Sequence, residues 1–166
     1  MLVTAYVALG ANLGDPVATV RAAIAALHDI ADTRFLVASS LYRTAPVGLH
    51  HQPDFINAVA LLEVDAAVLP APTFLECLFA IEARFGRQRS VKNAPRTLDL
   101  DLLLFGDEHL NLPGPPDLIL PHPRMTERAF VLAPLAEITP DLVIPGHGPI
   151  TPLLATITGQ HIERLP

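Results

Sequence analysis

An alternation of polar and apolar residues over positions 97–105 constrains the fold more than any other feature of the chain. In the segment TLDLDLLLF, Thr97, Asp99 and Asp101 alternate with leucines. Because successive side chains of a β-strand point to opposite faces, the polar residues share one face and the leucines fill the other. The segment therefore predicts a strand with one buried and one polar face, as is common in antiparallel sheets.

The two carboxylates of this strand form a candidate cation site. A strand rises about 3.3 Å per residue, so we expect the Cα atoms of Asp99 and Asp101 to lie about 6.6 Å apart. At that spacing both carboxylates can hold one divalent ion or bridge two. The alternative is that the pair belongs to a solvent-exposed polar face of an antiparallel strand.

A cluster of basic residues precedes the acidic pair. It contains five of the 11 lysines and arginines of the chain and no acidic residue. Its members are Arg84, Arg87, Arg89, Lys92 and Arg96. Because the whole chain carries a formal charge of -6, the cluster indicates a local site for an anion such as a metal-bound polyphosphate. A solvated run of charges is the alternative.

Length and composition limit the remaining possibilities. The 166 residues predict one domain, 1–166, and the acidic balance disfavours broad nucleic-acid binding. The apolar runs are shorter than the roughly 20 residues that a membrane span needs. A single cysteine, Cys77, excludes an internal disulfide and fits a reducing cytoplasm. Because no coiled coil or large apolar stripe demands a partner, we expect a monomer.

The pattern of strands and helices predicts an α+β fold. We expect strands at 3–9, 34–42, 57–64 and from 97, helices at 17–27 and 72–85, and a short helix at 125–132. Asp15 and Pro16 supply a cap and a first-turn residue for the first helix. The order βαββαβ predicts a ferredoxin-like antiparallel sheet with the helices on one face and extra C-terminal elements. The other face of the sheet is then left for substrate.

Common nucleotide and metal motifs are missing from the sequence. GANLGD at 10–15 lacks the lysine and hydroxyl residues of a phosphate-binding P-loop, and no GxGxxG string occurs. The histidines form no HExxH motif, and the single cysteine forms no CxxC pair, so a zinc site has little support. Metal-assisted phosphoryl-type chemistry remains as the hypothesis that uses the acidic pair and the basic cluster.

Four strings in the chain resemble those of the 6-hydroxymethyl-7,8-dihydropterin pyrophosphokinase family of folate biosynthesis. They are GANLGD, YRTAPVG followed by QPDFINA, APRTLDLDLLLFG, and LPHPRMTERAFVLAPLAEI. The resemblance spans nearly the whole chain. It implies transfer of pyrophosphate from ATP to the hydroxymethyl group of the reduced pterin, with release of AMP and participation of two Mg²⁺ ions.

The resemblance also implies roles for individual residues. Asp99 and Asp101 correspond to the paired magnesium ligands and, with Arg87 and Arg96, to the catalytic residues. The nucleotide-binding positions correspond to Glu82, Arg89, Lys92, Leu102, His122 and Arg128. The pterin-binding positions correspond to Thr44, Val47, Phe55, Asn57 and Phe130, in which the two phenylalanines would sandwich the flat ring. For Glu82, a plain role on the helix surface is an equal alternative.

The sequence leaves two other functions open. One is a catalytically silent module that binds pterin or nucleotide, although such a module has no need of metal ligands. The other is an ordinary kinase that moves only the γ-phosphate of ATP, because the spacing of the acidic pair cannot separate attack at the β-phosphorus from attack at the γ-phosphorus.

Overall fold

The computed structural model describes residues 1–46, 53–86 and 97–166. The strands are β1 (Leu2–Ala11), β2 (Thr33–Ala38), β3 (Tyr42–Thr44), β4 (Phe55–Asp65), β5 (Asp99–Phe105), β6 (Leu110–Leu112), β7 (Leu118–Leu120), β8 (Val143–Ile144), β9 (Gly148–Pro149) and β10 (Ile162–Arg164). The helices are α1 (Pro16–Leu27), α2 (Ala71–Arg84), α3 (Ala129–Ile138) and α4 (Ile150–Ala155), with a 3₁₀ turn at Met125–Glu127.

One six-stranded antiparallel sheet organises the fold. Its strand order is β10-β3-β4-β1-β5, and β2 also pairs with β4. Strand β1 lies between β4 and β5 and pairs antiparallel with both. The predicted α+β class with an antiparallel sheet is therefore confirmed.

Helices α1 and α2 cover one face of the sheet. The first helix begins where the sequence predicts, because the Asp15 carboxylate accepts a hydrogen bond of 3.1 Å from the Ala18 N–H and Pro16 follows the cap. Fully buried side chains such as Leu27, Phe74 and Phe105 fill the layer between these helices and the sheet. In the described part of the chain, no helix is both long and apolar enough to cross a membrane.

The opposite face of the sheet is only partly open, contrary to the prediction that it is left for substrate. Val59 and Leu61 of β4 and Leu103 of β5 pack there against buried residues of α3, including Leu132 and Leu135. The predicted helix at 125–132 is also wrong in its bounds, because residues 125–127 form a 3₁₀ turn and α3 runs from Ala129 to Ile138. Helix α3 continues through Pro134, which is buried, because burial of this apolar segment offsets the backbone hydrogen bond that proline cannot make.

The predicted strand at 34–42 is in fact two strands, β2 and β3. Between them, the Ser39 N–H donates to the Val59 carbonyl at 2.8 Å, and the Ser39 hydroxyl accepts from the Val59 N–H at 2.9 Å. The next residue, Ser40, directs its N–H to the carboxylate of Glu137 at the end of α3. Because the polar groups of this turn are satisfied outside a regular ladder, the strand is interrupted here.

Glu137 joins α3 to β3 and β10, the two strands at one edge of the sheet. Its carboxylate accepts a hydrogen bond of 2.7 Å from the Tyr42 hydroxyl on β3 and lies 3.5 Å from the Arg164 guanidinium on β10. Burial and the hydrogen bond to Glu137 raise the pKa of Tyr42 to about 12, so Tyr42 remains a donor at neutral pH. The network fixes the C-terminal strand to the sheet.

Candidate functional site

A large pocket opens on the part of the sheet that α3 leaves uncovered. Its volume is about 1250 Å³, and its floor includes Ala8 and Gly10 of β1. The start of α3 and the C-terminal segment 159–162 form its walls. Eight of the residues predicted from the sequence line it, namely Thr44, Phe55, Asn57, Asp99, Asp101, His122, Arg128 and Phe130.

The acidic pair lies at one side of the floor, on β5. Asp99 and Asp101 are both half-buried, and the intervening Leu100 is buried in the opposite layer, as the alternation predicts. Magnesium in nucleotide sites is commonly held by one or two carboxylates together with substrate phosphates and water. The two carboxylates fit that mode of binding.

A buried amide lies at the other side of the floor. The Asn57 Nδ2 donates a hydrogen bond of 2.9 Å to the Thr44 Oγ1, and the two side chains are 6% and 7% exposed. This bond fixes the orientation of the amide on the floor of the pocket. Phe55 lies on the same face of β4 two residues earlier, so an aromatic ring and a polar amide meet at one place.

Gly10 separates the amide from the acidic pair. It pairs with Asn57 on β4 and with Asp99 on β5. Neighbouring strands lie about 4.8 Å apart, so Asn57 and Asp99 are separated by about 9.6 Å across the sheet. A Cβ atom at position 10 would lie 3.0 Å from the Asn57 Oδ1. The missing side chain therefore keeps the floor between the two groups flat and leaves room for the amide.

His122 contributes a polar group from the wall above β5. Its backbone N–H bonds to the Leu103 carbonyl at 2.9 Å, and its Nδ1 accepts a hydrogen bond of 3.2 Å from the Arg124 N–H. Burial lowers the pKa of His122, and the opposing effect of the Asp101 carboxylate does not cancel this shift. The ring is therefore neutral at pH 7, and its hydrogen lies on Nε2, which can donate to an acceptor in the pocket.

Arg128 and Phe130 form the wall at the start of α3. The Arg128 Cζ lies 5.4 Å from the centre of the Phe130 ring, within the range of a cation–π contact. This contact places a guanidinium and an aromatic face side by side on one wall. The arrangement can bind an anionic group next to a flat ring.

Two of the predicted nucleotide contacts lie on the other side of the sheet. Leu102 is 4% exposed and packs in the layer beneath α1 and α2. Glu82 of α2 is 1% exposed, and its Oε2 accepts a hydrogen bond of 2.8 Å from the Leu100 N–H. Glu82 thus anchors β5, the strand that carries the acidic pair. This buried position differs from the alternative that the sequence left open, a plain role on the helix surface. The nucleotide contacts of both residues stay predictions.

Five further predicted residues lie outside the described part of the chain. They are Val47, Arg87, Arg89, Lys92 and Arg96. Their predicted roles in holding the pterin and the triphosphate remain untested.

The sequence did not single out the C-terminal wall of the pocket or Gly10. Gln160, His161 and Ile162 line the pocket because β10 pairs with β3, where Ile162 lies opposite Thr44. A three-residue strand has no periodicity that could predict this pairing. For Gly10 a signal exists, since a glycine inside a strand often marks the close approach of another group.

Comparison with known proteins identifies one family. The model of the family described as 7,8-dihydro-6-hydroxymethylpterin-pyrophosphokinase (HPPK) matches residues 6–140. A Pseudomonas aeruginosa protein named 2-amino-4-hydroxy-6-hydroxymethyldihydropteridine pyrophosphokinase is 45% identical over 166 residues, which cover 100% of this chain and 99% of that protein. A Haemophilus influenzae protein of the same name is 41% identical over 164 residues, with 99% of each chain covered.

A solved structure shows the same fold. The wild-type HPPK-DHPS of Plasmodium falciparum superposes with a TM-score of 0.68 and 14% sequence identity. The match covers 93% of this chain and 41% of that chain. The chain therefore spans less than half the length of this larger protein.

Proposed function

The chain belongs to the 7,8-dihydro-6-hydroxymethylpterin-pyrophosphokinase family, and from this premise we infer that it transfers pyrophosphate from ATP to 6-hydroxymethyl-7,8-dihydropterin. The products are AMP and the pterin diphosphate, and the reaction is a step in folate biosynthesis. The observation that carries this function is the position of Asn57 and Asp99 on either side of Gly10. One end of the floor can bind a hydrogen-bonding ring, and the other end can bind the metal-bound phosphates of ATP.

The pterin end of the pocket supplies recognition. Asn57, held by Thr44, reads the polar edge of the ring. Phe55 and Phe130 stack on its two faces, because offset aromatic contacts favour a flat bicyclic ligand. With the ring bound in this way, the hydroxymethyl group extends over Gly10 towards β5.

In this proposal Asp99 and Asp101 would hold two Mg²⁺ ions, which would supply positive charge that neutralises the phosphates during transfer. The hydroxymethyl oxygen then forms a bond to the β-phosphorus, the bond from that phosphorus to the oxygen of the α-phosphate breaks, and the hydroxyl proton is released. AMP is the leaving group.

Basic and neutral donors would contact the phosphates. The His122 Nε2–H and the Arg128 guanidinium face the pocket from the wall. We assign the triphosphate clamp to Arg87, Arg89, Lys92 and Arg96 on the basis of the resemblance to the family. Charge-assisted bonds from arginine to phosphate oxygens are stronger than neutral ones and orient the transferred group.

The family assignment also supports a proposal about the fold, the oligomeric state and the location of the protein. The order β3-β4-β1-β5, with α1 and α2 on one face, supports a ferredoxin-like arrangement of a single domain, 1–166. We propose that the domain acts as a monomer in the cytoplasm, where its one cysteine stays reduced.

Nucleotide analysis tests the proposed function. The protein is incubated with magnesium, ATP and the reduced pterin, and the nucleotides are separated. AMP that forms only when pterin is present supports the pyrophosphokinase. ADP as the pterin-dependent product supports a γ-phosphate kinase, and binding of pterin without any turnover supports a silent binding module.

A further inference from the structure

The side chain of Gln160 bonds to the chain on both sides of Arg128. Its Oε1 accepts a hydrogen bond of 2.9 Å from the Ala129 N–H, and its Nε2 donates one of 2.8 Å to the Glu127 carbonyl. Only this orientation of the amide satisfies both groups, because an N–H requires an acceptor and a carbonyl requires a donor. Gln160 therefore bridges the peptide groups that flank a pocket arginine.

The bond to Ala129 provides a helix cap from a distant part of the chain. The first N–H groups of a helix have no partner within the helix, and the cap residue of α3, Arg128, makes no side-chain cap bond. Ala129 is 5% exposed, so its N–H is largely shielded from water. Gln160, which follows Ala129 by 31 residues, supplies the acceptor.

The bridge lies at the pocket itself. Arg128, Phe130 and Gln160 all line it. Gly159, with a positive φ of 76°, turns the chain into Gln160, and the following strand β10 is held against β3. Gly159, Gln160 and β10 lie beyond residues 6–140, the segment that the family model matches.

We propose that Gln160 is a positioning residue for pyrophosphoryl transfer, which holds Arg128 against the nucleotide and Phe130 against the pterin ring. The proposal rests on the proposed function. The Glu127 carbonyl belongs to the peptide before Arg128, and the Ala129 N–H belongs to the peptide after it, one residue before Phe130. The Nε2 half of the carboxamide therefore acts on Arg128 alone, whereas the Oε1 half also acts on Phe130.

The Gln160→Ala variant tests the bridge as a whole. Loss of both hydrogen bonds loosens both walls, so we expect the KM values for pterin and for ATP each to rise about fivefold while kcat changes less. Steady-state kinetics of AMP formation measures the three constants. Thr156→Val is the matched control, because it removes a hydrogen bond to the Leu153 carbonyl from the same tail, outside the pocket lining.

The Gln160→Glu variant separates the two halves. A carboxylate still accepts from the Ala129 N–H but cannot donate to the Glu127 carbonyl. We expect the KM for pterin to return towards the wild-type value and the KM for ATP to stay raised. A role limited to stability does not produce this split.

Two results would overturn the proposal. One is a Gln160→Ala protein with both KM values within about twofold of the wild type, whether or not its Tm is lowered. The other is a Gln160→Glu protein in which both KM values change together. If the wild-type protein makes no pterin-dependent AMP, the proposed function fails as well, whereas AMP formation with unaltered KM values removes the role of Gln160 alone.

Discussion

Asn57 and Asp99 lie opposite each other across one residue, Gly10, because β1 pairs with β4 on one side and with β5 on the other. The sheet itself therefore sets the distance between the amide that we propose to read the pterin and the carboxylate that we propose to bind metal. Two strand spacings, about 9.6 Å, would leave room for a bicyclic ring between Asn57 and phosphates held at Asp99. In the proposed function, recognition and transfer would be linked through the backbone pairing of three neighbouring strands.

A methyl group at position 10 should weaken binding of the pterin. In Gly10→Ala the new Cβ lies 3.0 Å from the Asn57 Oδ1, so the amide must shift, and we expect the KM for pterin to rise about tenfold. The KM for ATP should change much less. Steady-state kinetics with each substrate varied in turn makes this measurement.

A double-mutant cycle supplies the control for this prediction. In an Asn57→Ala background the clash is absent, so adding Gly10→Ala should cost little more. Additive effects of the two substitutions would show that position 10 acts by another route.

The acidic pair should be essential for turnover and dispensable for folding. Asp99→Asn and Asp101→Asn each remove a charge without removing volume, and we expect each to lower kcat by about 100-fold or more. Asp141→Asn, at an exposed position between α3 and β8, should behave as the wild type. Turnover is measured over a range of magnesium concentrations, and near-normal rates at ordinary magnesium would exclude the pair as ligands.

Glu137 should make the fold sensitive to acid. Burial alone raises its pKa, but hydrogen bonds from Tyr42 and Ser40 outweigh burial and hold the pKa below its ordinary value of 4.5. A carboxylate whose pKa is lower in the folded state stabilises the protein above the unfolded-state value. This stabilisation is lost as the pH falls through the folded-state value.

Urea unfolding at several pH values measures the effect of Glu137. Below pH 4.5, the free energy of unfolding should fall more steeply for the wild type than for Glu137→Gln, which has no titrating carboxylate at this position. Parallel curves for the two proteins would contradict the role of the network.

Much of the fold could be predicted because local signals agree with the final structure. The cap at Asp15 defines the start of α1, and the two-residue period of β5 places Asp99 and Asp101 on one face. The same two-residue period places Phe55 and Asn57 on one face of β4. These features depend on near neighbours in the sequence, and that information is present in a single chain.

The remaining features depend on contacts between distant residues. Strand β10 forms because its residues pair with β3. Its last residue, Arg164, also forms an ion pair with Glu137 of α3. Helix α3 passes through Pro134 because tertiary burial outweighs a local preference. Neither outcome has a signature in a short window of sequence. The pocket wall that contains Gln160 was missed for the same reason.

The position of the labelled phosphate in the product tests the central claim most directly. The protein is supplied with magnesium, the reduced pterin and ATP labelled either at the β-phosphate or at the γ-phosphate. Pyrophosphate transfer predicts that each label appears in the pterin product, in an amount equal to the AMP released. A product that carries only the γ-label, together with ADP, would contradict the account.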